Sequence, residues 1–217
     1  MRRIMFDTNV YGVLIKEPEA IVRIASHTPN DFVVYGTPVI RNELRALSKE
    51  AKLDQKSKRV LLLNVYDSFI RKENHNLKIT DIIEIIAQDY FIEYKKAGGA
   101  LSLIEMINDL RIVACAAVHH LDIVISEDQK SMLSLHSLRA YTLVNKKNQL
   151  RNPEFISCQK PPITDWWHDM ETHRSQVVFD AQNSTNSAVF EHNRFHLNHS
   201  SEMGGILLFK KFKEDYL

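Results

Sequence analysis

The chain has 217 residues, 44% of them hydrophobic and 25% charged, which is ordinary for a globular protein and enough for one good core with an appendage. Its 28 basic residues nearly balance 27 acidic ones, leaving a net charge of +1, so bulk electrostatics does not mark a nucleic-acid binder and any such surface must be local. With only Cys115 and Cys158 present, a disulfide framework is excluded as the organising principle, and Cys115, set in an apolar run, reads as a buried small hydrophobe.

The first strand is expected at 4–6, directly before Asp7. The three apolar residues there are too short for a signal-peptide core, and no apolar run approaches membrane-spanning length. The expectation is a reducing, cytoplasmic location without a membrane. Further short apolar runs rich in β-branched residues at 32–35, 122–125 and 141–144 read as strands, alternating with longer helical stretches. That alternation predicts an α/β fold, and continuous apolar runs predict a parallel sheet covered on both faces.

Thr37-Pro38 marks a helix start, with Thr as N-cap and Pro at the first helical position, and leads into Val39, Ile40, Glu43, Leu44 and Leu47. Two helical stretches follow at 55–72 and 81–96, the second stopped by Gly98-Gly99. Ser102-Leu103-Ile104-Glu105 is a capping box opening a segment apolar on nearly every side, the expected central helix, with Asp109 in its first turns. Beyond Pro153 the pattern degrades, and 180–205, rich in Ser, Asn and His, reads as loop or disorder. The domain reading is one folded unit at 1–158 and a partly disordered extension at 159–217.

Four carboxylates stand at the ends of apolar segments: Asp7 after the first strand, Glu43 and Asp109 on helices, and Asp128 after the run at 122–125. In an open parallel sheet, ligands bind beyond the carboxyl ends of the strands, where strand order reverses. Strand-end acids and helix-borne acids could converge there. Gathered carboxylates raise one another's pKa unless a cation compensates them, and hard oxygen ligands suit Mg²⁺ or Mn²⁺, which bring phosphate substrates with them. A lone acid after a strand is usually a turn or cap residue; the conjunction of four, with Asp109 in a segment built for burial, is what points to a site.

At these residues the chain resembles the PIN-domain nucleases, the superfamily that includes the VapC-type ribonuclease toxins. The resemblance covers residues 1–158 and is carried by Phe6-Asp7-Thr8-Asn9-Val10, by Thr37-Pro38-Val39-Ile40-Arg41-Asn42-Glu43-Leu44, by Asn108-Asp109-Leu110-Arg111-Ile112-Val113-Ala114, by Ile125-Ser126-Glu127-Asp128, and by Asn152-Pro153-Glu154-Phe155-Ile156 as a closing strand. It implies an α/β/α sandwich and metal-dependent hydrolysis of single-stranded RNA by Asp7, Glu43, Asp109 and Asp128, with Asn9 and Ser126 in support. It also implies homodimers and, for a toxin, an antitoxin protein over the cleft. Glu127, where many relatives carry a basic or small polar residue, and the long segment at 55–96 depart from that pattern.

RNA approaching an acidic cleft needs basic neighbours. Arg41 and Arg45, a helical turn apart, are the candidates to face it, followed by Lys49, Lys52, Lys56, Lys58 and Arg59, a run that a solvated helix face also explains. Arg111 is less well placed on helical geometry. Glu105 is explained by capping, His119-His120 by the helix C-terminus, and His192, His196 and His199 have metal spacing without supporting ligands. Trp166-Trp167, Phe209 and Phe212 could stack on bases but fit packing as well.

Two rival functions remain on the sequence. A strand-end Asp7 suggests phosphatases of the haloacid dehalogenase type, but that chemistry needs a second Asp where Asn9 stands. The other is a PIN-like scaffold that binds RNA without turnover.

Overall fold

The structure, a computed structural model, describes residues 1–27, 31–70 and 73–157. All fall in Met1–Cys158, the first of the two units into which the chain divides. The expectations placed on 159–217, including the disorder at 180–205, the tryptophan pair and the late histidines, lie outside the described residues.

Strand β1 (Arg2–Phe6) runs into helix α1 (Thr8–Leu14) and then α2 (Pro18–His27), β2 (Phe32–Tyr35) and α3 (Pro38–Ala46). A small hairpin, β3 (Lys52–Leu53) and β4 (Lys56–Ser57), precedes α4 (Lys58–Phe69). The long helices α5 (Asp81–Lys96) and α6 (Leu103–Val118) follow, then β5 (Ile123–Ile125), α7 (Leu135–Lys147) and β6 (Glu154–Ile156). The main sheet has the order β2-β1-β5-β6, and every pairing in it is parallel.

Both faces of this sheet are covered. Phe6 packs edge-on against Tyr11 of α1 and Phe69 of α4, with ring centroids 5.9 and 5.8 Å apart. Met5, Val124 and Phe155 are in register and so point the opposite way, since side chains alternate along a strand. On that side Phe155 stacks on Tyr141 of α7 at 5.5 Å, and α5 packs against α6 and α7. Three layers result, α1 and α4 below, α5 to α7 above, with the sheet between. Ile4, Met5, Phe6, Ile123, Val124 and Ile125 are all wholly buried, each stabilising the fold by about 1.5–3 kcal/mol. This is the three-layer α/β/α arrangement expected from the alternation of elements.

Local signals behaved as the chemistry predicts. Thr37 caps α3, its hydroxyl accepting from Val39 N at 2.9 Å with Pro38 in the first turn. The capping box closes on α6, with Ser102 N donating to Glu105 Oε2 at 2.7 Å. His119 is the C-cap of the same helix. Gly98 adopts φ +93 just past α5, a conformation that glycine tolerates and other residues resist. Cys115 is buried, and burial pushes its thiol up to about 12.

Three expectations are corrected. The strand expected at 141–144 is part of α7: Ser137, Ala140, Tyr141, Val144 and Asn145 are its buried residues, a helical spacing that a four-residue window conceals. The helix expected over 55–72 begins only at Lys58, because Asp54 and Gln55 take positive φ (49 and 65) and turn the chain back as a hairpin. Helices α1 and α2 had no counterpart in the sequence reading. Asp7 itself starts α1, its Oδ1 accepting from Thr8 N at 2.7 Å. No helix among the described residues is long and apolar enough to cross a membrane.

Candidate active site

The strand order sets where a site can form. From β1 the chain moves outward to β2 on one side, while β5 and β6 lie on the other. The reversal falls between β1 and β5, whose carboxyl ends release Asp7 and Ser126. A crevice at such a switch point is where open parallel sheets bind ligands.

All four predicted acids reach this edge. Asp7 is 4% exposed; its backbone N–H donates to Ile125 O at 2.8 Å, which ties it to the end of β5. Ser126, wholly buried, donates through Oγ to Asp7 Oδ2 at 2.7 Å and accepts from Asp128 N at 3.0 Å. Asn9 completes this net: its amide donates to Ser126 Oγ at 3.3 Å and its carbonyl accepts from Glu127 N at 3.0 Å. Both supporting residues therefore brace the strand-end acids. Asp128 Oδ1 in turn accepts from Lys130 N and Ser131 N, each at 2.9 Å, folding the loop after β5 into an Asx-type turn.

Glu43 enters from α3 and Asp109 from the second turn of α6. Glu43 is held at both oxygens, by the Thr8 hydroxyl and by the Asn108 amide at 2.7 Å. Ser131 Oγ touches Asp109 Oδ2 and lies 2.5 Å from Asp128 Oδ2. A hydroxyl has one proton to donate, so it cannot serve two ionised carboxylates at once. Ser131 Oγ is the donor shared between the two acids, and the carboxylate it does not serve is left facing its neighbour's charge.

The electrostatics agree. Burial foremost, then the charges of Asp7, Asp128 and Glu43, push Asp109 up to about 7 against the Ser131 hydrogen bond. Burial likewise leads in raising Asp7 to about 6, with Glu43 and Asp128 adding to it, despite hydrogen bonds from Ser126 and Thr8. Asp128 feels burial upward too, but the hydrogen bonds from Ser131 and Lys130 outweigh it and hold it below the ordinary carboxylate range. The leading charges on Asp7 and Asp109 are thus those of neighbouring acids, each acting to raise them.

Among the described residues no three His, Cys, Asp or Glu side chains form a ready cage for a metal ion. The donor chemistry nonetheless suits a hard divalent cation: four mutually repelling carboxylates, with buried Asp7 and half-buried Asp109 at elevated pKa and the Lys130 ammonium acting favourably on Asp128. Glu127 adds a buried Oε2 without a hydrogen-bond partner; its other oxygen accepts from Ser157 Oγ at 3.4 Å.

The arginines divide differently from the sequence reading. A groove of about 490 Å³ opens beside Glu43, and its α3 wall is made by Pro38, Val39, Asn42, Glu43 and Ala46. Arg41 is not part of that wall; it forks onto Asp67 of α4, Nε to Oδ1 at 3.2 Å and Nη2 to Oδ2 at 3.1 Å. Arg45 is exposed in the last turn of α3. Arg111, set aside on helical geometry, lines the groove, with Nε 2.9 Å from Glu84 Oε1 and Nη1 3.5 Å from Asn108 Oδ1. Thr8, Asn108 and Ser131 also went unnoticed as site residues, although each lies within three residues of a predicted acid.

The fold and the crevice together define an α/β/α protein with a carboxylate site at the carboxyl edge of a parallel sheet. No family model matches the chain, and no curated protein matches it. Among solved structures it is similar to three toxin–antitoxin assemblies: VapBC2 from Rickettsia felis, bound to a DNA fragment from its promoter (13% identity, TM-score 0.49, covering 71% of this chain and 98% of that one); DNA-bound VapBC from Salmonella typhimurium (16%, 0.46, 72% and 98%); and VapBC-5 from Mycobacterium tuberculosis (25%, 0.40, 59% and 86%). The likeness is one of overall shape and carries no assignment of activity.

Proposed function

We propose that this chain is a metal-dependent endoribonuclease that hydrolyses phosphodiester bonds of single-stranded RNA, with Asp7, Glu43, Asp109 and Asp128 as its catalytic carboxylates. The observation that carries the proposal is the pair formed by buried Asp7 and half-buried Asp109, raised to about 6 and about 7 by burial and by their acidic neighbours. Such a cluster costs stability, and a divalent ion would remove the cost.

These four residues would hold Mg²⁺ or Mn²⁺, which when bound activates water and offsets charge on the phosphate. The chain's own residues do the positioning. Thr8 and Asn108 fix both oxygens of Glu43, Ser126 and Thr8 N fix those of Asp7, and Ser131 holds Asp109 beside Asp128. Burial keeps bulk water from screening the acids, so each interaction there is stronger than at the surface. Arg41 and Arg45 remain the RNA-binding candidates on α3.

The role proposed is the toxin of a toxin–antitoxin pair, working in the cytoplasm as a homodimer with a small antitoxin as partner. A phosphatase using Asp7 is disfavoured because both Asp7 oxygens accept hydrogen bonds and the Asn9 amide is spent on Ser126. An RNA-binding scaffold is the second reading, favoured by the absence of a ready ligand cage among the described residues.

Incubation of the protein and its Asp109→Asn variant with single-stranded RNAs, with Mg²⁺ or Mn²⁺ or with EDTA, tests the proposal. Cleavage is expected only with metal and intact Asp109. RNA binding without cleavage under any of these conditions would favour the scaffold.

A further inference from the structure

We propose that the groove beside Glu43 seats one nucleobase of the RNA and sets the sequence preference at that position. The inference rests on the ribonuclease reading and extends it from the reacting phosphate to the neighbouring nucleotide.

The groove lies between α3, the start of α5 and α6, and Glu43 belongs both to its wall and to the carboxylate cluster. A ligand in it is therefore one residue's width from the reacting phosphate. Its volume, about 490 Å³, is in the lower part of the range of small-ligand pockets, room for one nucleotide rather than a folded element. Val39, Ala46 and Ile79 supply apolar surface, while Asn42 and Arg111 supply hydrogen-bonding edges.

The charge pattern selects a base over a phosphate. Arg111 is already neutralised by Glu84, Nε to Oε1 at 2.9 Å, and Glu43 and Glu84 both stand in the lining, so an anion entering here meets two carboxylates and no net positive charge. A flat, uncharged ring with donors and acceptors on its rim suits these walls. The Asn42 amide offers a donor and an acceptor on one plane, the geometry by which amides pair with a base edge. Arg111, tethered by Glu84 and Asn108, lines the groove with a planar guanidinium of the kind on which bases stack. Single-stranded RNA leaves its bases unstacked and available to such a site.

The test uses RNAs randomised around the cleavage point, and a matched RNA lacking the base at the preferred position. The wild-type protein is expected to favour one base at a single position next to the cut, and to lose about tenfold in kcat/KM when that base is missing. Ala46→Trp, which fills the groove, should erase that tenfold difference between the intact and the base-free RNA. Asn42→Ala should narrow the difference between bases. A preference untouched by Ala46→Trp, or no preference at any position, overturns the proposal and leaves the nuclease reading standing. Should the wild type cut no RNA, the nuclease reading fails separately. The groove is then judged by titrating the four uncharged nucleosides against the metal-free protein while following the Asn42 side-chain amide by NMR. A saturable shift that Ala46→Trp abolishes supports the base site; no shift overturns it.

Discussion

The two edges of the sheet treat the same residue types in opposite ways. At the edge where the strands begin, Asp122 accepts from Arg3 N at 2.7 Å and from Arg151 Nη1 at 2.6 Å, and Glu154 lies 3.8 Å from Arg2 Nη1. Arg3 also donates to the carbonyls of His119 and His120, closing the end of α6. Every acid named at that edge has a guanidinium. At the edge where the strands end, Asp7, Glu43, Asp109 and Asp128 are held by hydroxyls and amides alone. Hydrogen bonds orient a carboxylate without neutralising it, whereas an arginine does both. The first edge is neutralised by arginines, and the second keeps the negative charge that the proposed metal site requires.

The largest test of this contrast sets one edge against the other. Asp7→Asn or Asp109→Asn should lower metal-dependent RNA cleavage at least about a hundredfold, measured as kcat/KM, while leaving the metal-free fold as stable or more so at pH 8. Asp122→Asn should do the reverse, costing about 2 kcal/mol in denaturant unfolding through two disappointed arginines and leaving cleavage within about twofold. A catalytic loss from Asp122→Asn, with the protein folded, would erase the distinction.

The next concerns pH. Because Asp7 and Asp109 bind a proton more tightly in the folded chain than in the unfolded one, folding takes up protons between their ordinary values near 3.8 and their folded values of about 6 and 7. Stability of the metal-free protein should therefore fall as pH rises through that window, by about 5 kcal/mol between pH 4.5 and 8. Denaturant melts across pH would show it. Asp109→Asn should flatten the slope, and Mg²⁺ at pH 8 should recover the loss.

Ser131→Ala should have a smaller effect, lowering kcat about tenfold as Asp109 and Asp128 lose their shared hydroxyl, with RNA affinity retained. Rescue by Ser131→Thr would mark the hydroxyl as the active feature. Smallest of all, Arg41→Ala removes a partly exposed pair with Asp67 and should cost less than about 1 kcal/mol in a thermal melt.

Much of this arrangement was legible before folding, and the reasons differ by residue. Thr37 and the Ser102–Glu105 box were readable because a cap is satisfied by atoms two or three residues away. Asp7 and Asp128 were readable as strand-end acids because 4–6 and 123–125 are continuous apolar runs. The run at 141–144 misled because a strand and one buried turn of helix look alike over four residues, and only the wider spacing from Ser137 to Asn145 separates them. The basic residues misled for another reason. Helical spacing placed Arg41 and Arg45 on one face but could not say which neighbour that face would meet, and α4 brought Asp67 to Arg41.

The sequence by itself determined most of the alternation of strands and helices, the caps, and the identity of four acids, two after strands and two on helices, since all of these depend on contacts within a few residues. Tertiary structure alone decided which groups surround those acids. Thr8 and Glu43 are 35 residues apart, Asn108 and Glu43 65, and Ser126 and Asp7 119. The decision that arginines neutralise one edge of the sheet and only hydroxyls and amides meet the other is therefore made by the parallel order β2-β1-β5-β6, which brings distant strand ends together.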